Sequence, residues 1–246
     1  VIMDSAEPQK KAGMSGWVQK SWAFNFKFVF ISLIFLLLQF AIQYYIYSSG
    51  LFEVSIVRSL AFSGATLIGL SLLSSVAFKF RPILSKYAFV RKNFGVMGFI
   101  LVFFHVLAAT QLYFFGDLTK VYFSINPLEN PIVFGTLAYP ILFVMAITSI
   151  QWVEHKIGGT LWKALHRLVY FAFLFIVFHF TQQNPVALDS IPGYLLILVT
   201  IGVLLGELYW WYTVSKQRQF KNLGLYIGLA IILLYIILGY LAFFAK

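Results

Sequence analysis

The sequence contains no cysteine. That excludes disulfides, iron–sulfur clusters on thiolates and covalent c-type haem attachment. Charge is equally scarce. Only 11% of the 246 residues are Asp, Glu, Lys or Arg, against about 25% in soluble domains. Water therefore cannot be the solvent on every side of the chain. Internal repeats, low-complexity tracts, a phosphate-binding glycine loop and a nucleophile beside a base are also missing from the sequence. Any metal must be held by histidine, carboxylate or methionine. His105, His155, His166 and His179 are the entire imidazole supply.

What is present is apolar. Hydrophobic residues make up 61% of the chain, and a spanning helix needs about 20 of them in a row. Seven stretches qualify, near Trp22–Tyr47, Arg58–Phe80, Arg91–Phe115, Ile132–Trp152, Trp162–Gln182, Gly193–Val214 and Asn222–Ala245. The fold class this predicts is an all-α integral membrane protein, a bundle of about seven transmembrane helices with the lipid bilayer as its partner. Trp17, Trp22, Trp152, Trp162, Trp210 and Trp211 fall near span ends, where interfacial tryptophans belong. Residues 1–20 read as a polar cytoplasmic tail. The first apolar run is far longer than a signal-peptide core, so cleavage is not expected.

A net charge of +10 raises nucleic acid as a partner, but the distribution of the cations excludes it. Lys10, Lys11, Lys20 and Lys27 precede or enter the first span. Lys79, Arg81, Lys86, Arg91 and Lys92 crowd the second connection, Lys156, Lys163 and Arg167 the fourth, and Lys216, Arg218 and Lys221 the sixth. The intervening connections hold Arg58, then Lys120, then none between Thr181 and Tyr194. This alternation is the positive-inside pattern, which places the N-terminus in the cytoplasm and the C-terminus outside. Pro82 breaks the chain between the second and third spans, and Pro127 and Pro131 sit in the longest external connection. Gly158-Gly159 forms the turn of the cytoplasmic connection Glu154–Leu161. Gly202 with Gly206, and Gly224 with Gly228, have the small-xxx-small spacing that permits close helix approach.

Ionisable residues inside a span are costly and mark function by default. His105 and His179 lie well inside the third and fifth spans. Those spans run in the same direction. His105 follows Arg91 by 14 residues and His179 follows His166 by 13, so both stand roughly 20 Å from the cationic inner ends at about 1.5 Å per residue. Two imidazoles at one depth are what a haem with two axial histidines requires. The alternative is that each hydrogen-bonds a neighbouring helix; matched depth favours haem. His166 sits one turn into the fifth span. Thirteen residues are not a whole number of turns, so on a straight helix His166 and His179 point to different faces, unless a bend intervenes. Arg91 stands opposite His166, either pairing with haem propionates or serving as an ordinary positive-inside residue. Glu207 reads as a partner for a nearby cation, with a quinone or proton site as the alternative. Glu154 and His155 read as a solvated interfacial pair.

Arg91-Lys92-Asn93-Phe94-Gly95, then His105, followed by Trp162-Lys163-Ala164-Leu165-His166-Arg167-Leu168-Val169-Tyr170 and His179, resembles the ferric-reductase-like transmembrane superfamily. Within it, the sequence is most similar to the haem-binding membrane subunits of the MsrQ (YedZ) group. The Leu-His-Arg-Leu-Val-Tyr stretch is the most specific piece. The resemblance implies a ferric-reductase-like core over residues 58–214. Residues 21–57 add a first helix with its external turn, and residues 215–246 a cytoplasmic turn with a further helix. It implies a multi-pass protein of a bacterial-type cytoplasmic membrane that binds haem b through His105 and His179, with His166 and Arg91 as further candidates. Relatives with two haems carry two histidines on the third helix. This chain has one, so one haem is expected and a second, inner haem is the alternative. Electrons are expected from a cytoplasmic flavoprotein or membrane quinol, with FMN or FAD contributed only by a partner, and to pass to an external acceptor, ferric iron or a periplasmic reductase. The competing expectation is a haem-free anchor or transporter subunit of a larger complex.

Overall fold

The computed structural model describes residues 26–126, 129–130, 132–183 and 185–218, with side chains to residue 214. Helix α1 (Phe26–Ile42) widens into a π turn over Gln43–Tyr47. Helices α2 (Phe52–Phe80), α3 (Ala88–Phe114), α4 (Val133–Thr148), α5 (Gln151–Arg167), α6 (Val169–Gln183) and α7 (Ile191–Arg218) follow. No strand occurs among the described residues. Five helical segments are long and apolar enough to cross a bilayer, and Val133–Thr148 is a shorter apolar helix. The chain is a multi-pass membrane protein. The span predicted near Asn222–Ala245, with Gly224 and Gly228, lies outside the described residues.

Helix α2 is the axis of the bundle, and its small residues explain why. It carries Ser55, Ser59, Ser63, Gly64, Ala65, Thr66 and Gly69, all buried. Small side chains let neighbouring backbones approach closely, which drives helix association in lipid. A Cβ on Gly64 would lie 3.0 Å from the Gly98 carbonyl oxygen, and a Cβ on Gly98 would lie 2.9 Å from that of Gly64. Seven residues inward from that crossing, Ser71 Oγ donates to the Arg91 carbonyl oxygen at 2.8 Å. The antiparallel pair α2–α3 thus keeps a seven-residue register. On another side, Gly202 and Gly206 of α7 accept Leu73 and Val76 of α2, leaving no room for a Cβ at Gly206. The glycine spacing read from the sequence is a packing device.

Two boundaries differ from the sequence reading. The predicted span Ile132–Trp152 is a helix only over its 16 residues Val133–Thr148, because Ile150 turns extended at ψ 125° and starts a new helix. The expected loop Glu154–Leu161 is helical apart from Gly158, whose φ of 77° makes the turn. This stretch has polar and apolar sides and buries no residue, as suits a helix lying at the interface. Lys156 Nζ sits 4.0 Å over the Trp152 ring there.

The core joins α2, α4, α6 and α7 through Phe62, Ile68, Ala138, Ala172, Phe173 and Leu196. Phe62 and Phe180 stack at 4.6 Å. At one end of the bundle, Lys79 Nζ bonds both oxygens of Glu207, at 2.6 and 2.5 Å. Tyr170 donates to the same carboxylate at 2.8 Å. The pairing expected for Glu207 is formed, and it ties α2, α6 and α7 together. Phe30, Leu37, Leu38, Leu198 and Leu205 are exposed, as lipid-facing residues of a bundle should be.

Candidate functional site

The α2–α3 register decides the first histidine. His105 lies seven residues outward from Gly98, and Val57 seven residues outward from Gly64, so the two come opposite each other. His105 Nδ1 is 3.0 Å from the Val57 carbonyl oxygen. A carbonyl can only accept, so Nδ1 carries the proton and Nε2 presents its lone pair. The hydrogen bond fixes both the tautomer and the ring's orientation.

The second histidine depends on α4. His179 of α6 packs on Gly135, where a Cβ would lie 3.0 Å from Nδ1 and 3.2 Å from Cε1. Only a glycine leaves the ring its place. His179 Nδ1 is buried and has no hydrogen-bond partner among the described residues. Such an orphan costs about 1–3 kcal/mol and calls for an explanation, such as a ligand or a role in chemistry.

The two rings meet. Their centroids are 6.4 Å apart, with planes at 65°. Metal–imidazole bonds are about 2 Å. Adding about 1 Å of ring on each side, two imidazoles on opposite faces of one metal have centroids roughly 6 Å apart. The spacing fits. Among the described residues no group of three or more His, Asp or Glu could hold a bare metal ion. A two-imidazole donor set suits an iron that brings its own equatorial ligands, as haem does.

His166 and Arg91 belong elsewhere. Helix α5 ends at Arg167 and α6 starts at Val169, with Leu168 between them at φ −63° and ψ −13°. His166 and His179 thus lie on successive helical segments, and each meets different neighbours. His166 Nε2 meets Thr148 Oγ1 at 3.1 Å, and its ring stacks on Trp162 at 4.0 Å. Trp162 Nε1 donates to the Thr148 carbonyl at 3.0 Å. His166, Trp162, Arg91, Lys92 and Glu154 line a cavity of about 150 Å³ whose apolar wall includes Phe99 and Leu142. The sequence reading set Arg91 opposite His166, and the two share this cavity, remote from His105. Glu154 and His155 part company. Glu154 faces the cavity and His155 is exposed.

Val57, Gly135 and Thr148 were not legible as site residues. Val57 acts through its backbone, and nothing in the sequence distinguishes that carbonyl from its neighbours. Gly135 is one glycine in an apolar helix; only its place beside a histidine of another helix gives it meaning. Gly64 and Gly98 could have been paired by the constant sum of their numbers with those of Val57 and His105, had the helix register been known.

Comparison with known proteins gives a family and several relatives. The family described as "Ferric reductase like transmembrane component" matches residues 30–177, more than half of the chain. The chain is similar to the "Protein-methionine-sulfoxide reductase heme-binding subunit MsrQ" of Rhodospirillum rubrum, 32% identical over 112 residues, which is 43% of this chain and 53% of the relative. It is also similar to the protein of the same name from Caulobacter vibrioides, 30% identical over 105 residues, covering 42% of this chain and 48% of the relative. The chain spans about half the length of these curated relatives.

Proposed function

The chain belongs to the family of ferric reductase like transmembrane components, and from that premise we propose that it is a membrane cytochrome holding one b-type haem between His105 and His179. It passes electrons from the cytoplasmic side toward an acceptor outside. Haem bound there supplies a one-electron carrier. With no cysteine in the chain, its attachment is non-covalent, by axial imidazole.

The observation that carries this reading is the meeting of two imidazoles from α3 and α6 at 6.4 Å, with Nε2 of His105 freed by the Val57 hydrogen bond. A hydrogen bond at the far nitrogen raises a ligating imidazole's basicity and holds its plane. His179 is held in position by the glycine surface of α4. Haem held by both histidines would keep no open coordination position for a substrate, so it would supply outer-sphere electron transfer. The relatives' names point to a reductase of protein methionine sulfoxide as the electron acceptor, with ferric iron the other acceptor class. The donor is a flavoprotein that brings its own FMN or FAD, or quinol from the membrane. Arg91 and His166 line the inner cavity, on the side from which the electrons arrive. Because His166 Nε2 is engaged by Thr148, we assign no second haem to it.

Reduced-minus-oxidised absorption of the purified protein tests the proposal. A sharp b-type band that disappears in both His105→Ala and His179→Ala supports it. A flat spectrum from folded parent protein reconstituted with haem would leave the haem-free anchor or transporter in its place.

A further inference from the structure

The side of the bundle away from the histidine pair holds a second unusual feature. Ser32, Gln39 and Gln43 of the α1 segment are 0%, 3% and 1% exposed. Their spacings of seven and four put them on one helical face. Opposite, Ser55, Ser59, Ser63 and Thr66 of α2 are each 0% exposed, and spacings of four, four and three put these on one face too. The polar atoms do not satisfy one another. Ser32 Oγ, Gln39 Oε1, both amide atoms of Gln43, Ser48 Oγ, Ser63 Oγ and Thr66 Oγ1 are buried without a hydrogen-bond partner among the described residues. Ser55 and Ser59 give their protons to their own helix, at Leu51 and Ile56, and keep lone pairs to accept.

Antiparallel helices joined by a short turn interleave these groups. Measured from the turn at Ser48–Leu51 and at about 1.5 Å per residue, Ser55 and Gln43 lie roughly 10 Å in, Ser59 and Gln39 roughly 15 Å, Ser63 roughly 20 Å, and Thr66 with Ser32 roughly 25 Å. From Ser32 to Ser48 the series covers roughly 24 Å of a hydrocarbon core about 30 Å thick. Its outer end coincides with the π turn at Gln43–Tyr47, and such turns concentrate at functional positions. Among the described residues, the seam carries both donors and acceptors but no charged group. Anions and bare cations therefore find no counter-charge, whereas water, which needs two to four polar partners, finds an amide with a hydroxyl at the Gln43–Ser55 and Gln39–Ser59 levels and two hydroxyls at the Ser32–Thr66 level, with Ser63 between them.

We propose that the seam between α1 and α2 binds a file of internal water molecules and conducts protons along it. A proton taken up by the water at one end is released from the water at the other, hop by hop, with no net change in the file. If the chain moves electrons outward, as argued above, such a path lets protons follow and relieves the charge separation. Relief of charge separation depends on the haem reading; the path itself does not.

The test is proton flux into proteoliposomes of the full chain, driven by a potassium diffusion potential and read by an enclosed pH dye, with no electron donor present. Flux above that of protein-free liposomes is expected, unchanged in Gly159→Ala, where an added Cβ meets nothing within 4 Å. Gln39→Leu with Gln43→Leu should lower it by about tenfold. Hydroxyl-radical footprinting reads the water directly, and guards against a double variant that fails to fold. In the parent, buried Leu60 and Leu67 beside the seam should be labelled well above Leu174, which is equally buried in the core on the far side. Parent flux no higher than in protein-free liposomes overturns the proposal, as does flux untouched by the double substitution or equal labelling of all three leucines. Loss of haem with flux retained would overturn the cytochrome reading alone.

Discussion

Gly135→Ala places one methyl group against the ring of His179 and leaves the histidine itself unsubstituted. The added Cβ would lie 3.0, 3.2 and 3.3 Å from Nδ1, Cε1 and Cγ of the ring, where ordinary contact begins at 3.4 Å. The ring must therefore retreat by a few tenths of an ångström, away from α4. A functional constellation tolerates about 0.5 Å of displacement, so the variant should bind haem and bind it badly. Overpacking costs about 1–3 kcal/mol, and 1.4 kcal/mol is a factor of ten, so haem affinity should fall by about tenfold. Gly135→Leu, which cannot be absorbed by so small a shift, should bind none. Titrating haem into the apo-protein and following the Soret band measures both. Gly159→Ala is the control, since a Cβ there meets nothing within 4 Å. If Gly135→Ala binds haem as tightly as Gly159→Ala and with the same reduced spectrum, His179 is not the ligand that packing against α4 positions.

His105→Ala and His179→Ala should each abolish haem binding, whereas His166→Ala should retain one haem per chain by pyridine haemochrome assay, since Thr148 and Trp162 occupy that ring. Gly98→Ala and Gly206→Ala both strain glycine contacts with α2 and should both lower thermal stability. Only Gly98→Ala, by prying α3 from α2, should also weaken haem by about 10–100-fold through the stretched Val57–His105 bond. Glu207→Gln leaves the partly buried Lys79 without its carboxylate and should cost about 1–3 kcal/mol, between the surface and buried limits, or roughly 2–4 °C in Tm per kcal/mol. Adding Lys79→Met should recover part of that loss. Cysteines placed at Lys86 and Lys216 should be shielded from an impermeant thiol reagent in intact cells and those at Asp117 and Asp189 labelled; the reverse pattern inverts the orientation.

Composition alone made the membrane legible, because 61% apolar residues admit few other solvents. The spans followed from run length, and the meeting of His105 with His179 followed from counting residues inward from two cationic ends. That count works because parallel helices of equal rise keep depth in step. Run length did not set the fourth span's end, because Ile150 and Trp152 carry the apolar stretch past Thr148, where the helix stops. The position of Gly158's turn was legible and the helicity of its arms was not, since a helix lying at an interface lacks the long apolar run that marks a span. The buried amides of Gln39 and Gln43 were passed over for a different reason. Uncharged polar residues do not interrupt a hydropathy window, yet a buried polar group without a partner is costly inside lipid.

The histidine pair is built by helices that do not carry histidine. α3 brings His105, but α2 decides which of its nitrogens is protonated, through a main-chain oxygen. α6 brings His179, and α4 supplies the glycine surface against which the ring rests. Both dependencies run through backbone rather than side chain, and backbone positions move only when helices move. The separation of the two rings is thus set by the packing of four helices, with the α2–α3 crossing at Gly64 and Gly98 as its tightest part. Close glycine crossings resist sliding, because a shift of either helix drives carbonyl against carbonyl. A carrier that exchanges only electrons gains from such rigidity, since less of the surrounding protein has to rearrange when the charge on the site changes. The pair proposed to hold haem, fixed by backbone and half-buried, would have that character. The inner cavity is lined instead by the ionisable side chains Arg91, Lys92, Glu154 and His166.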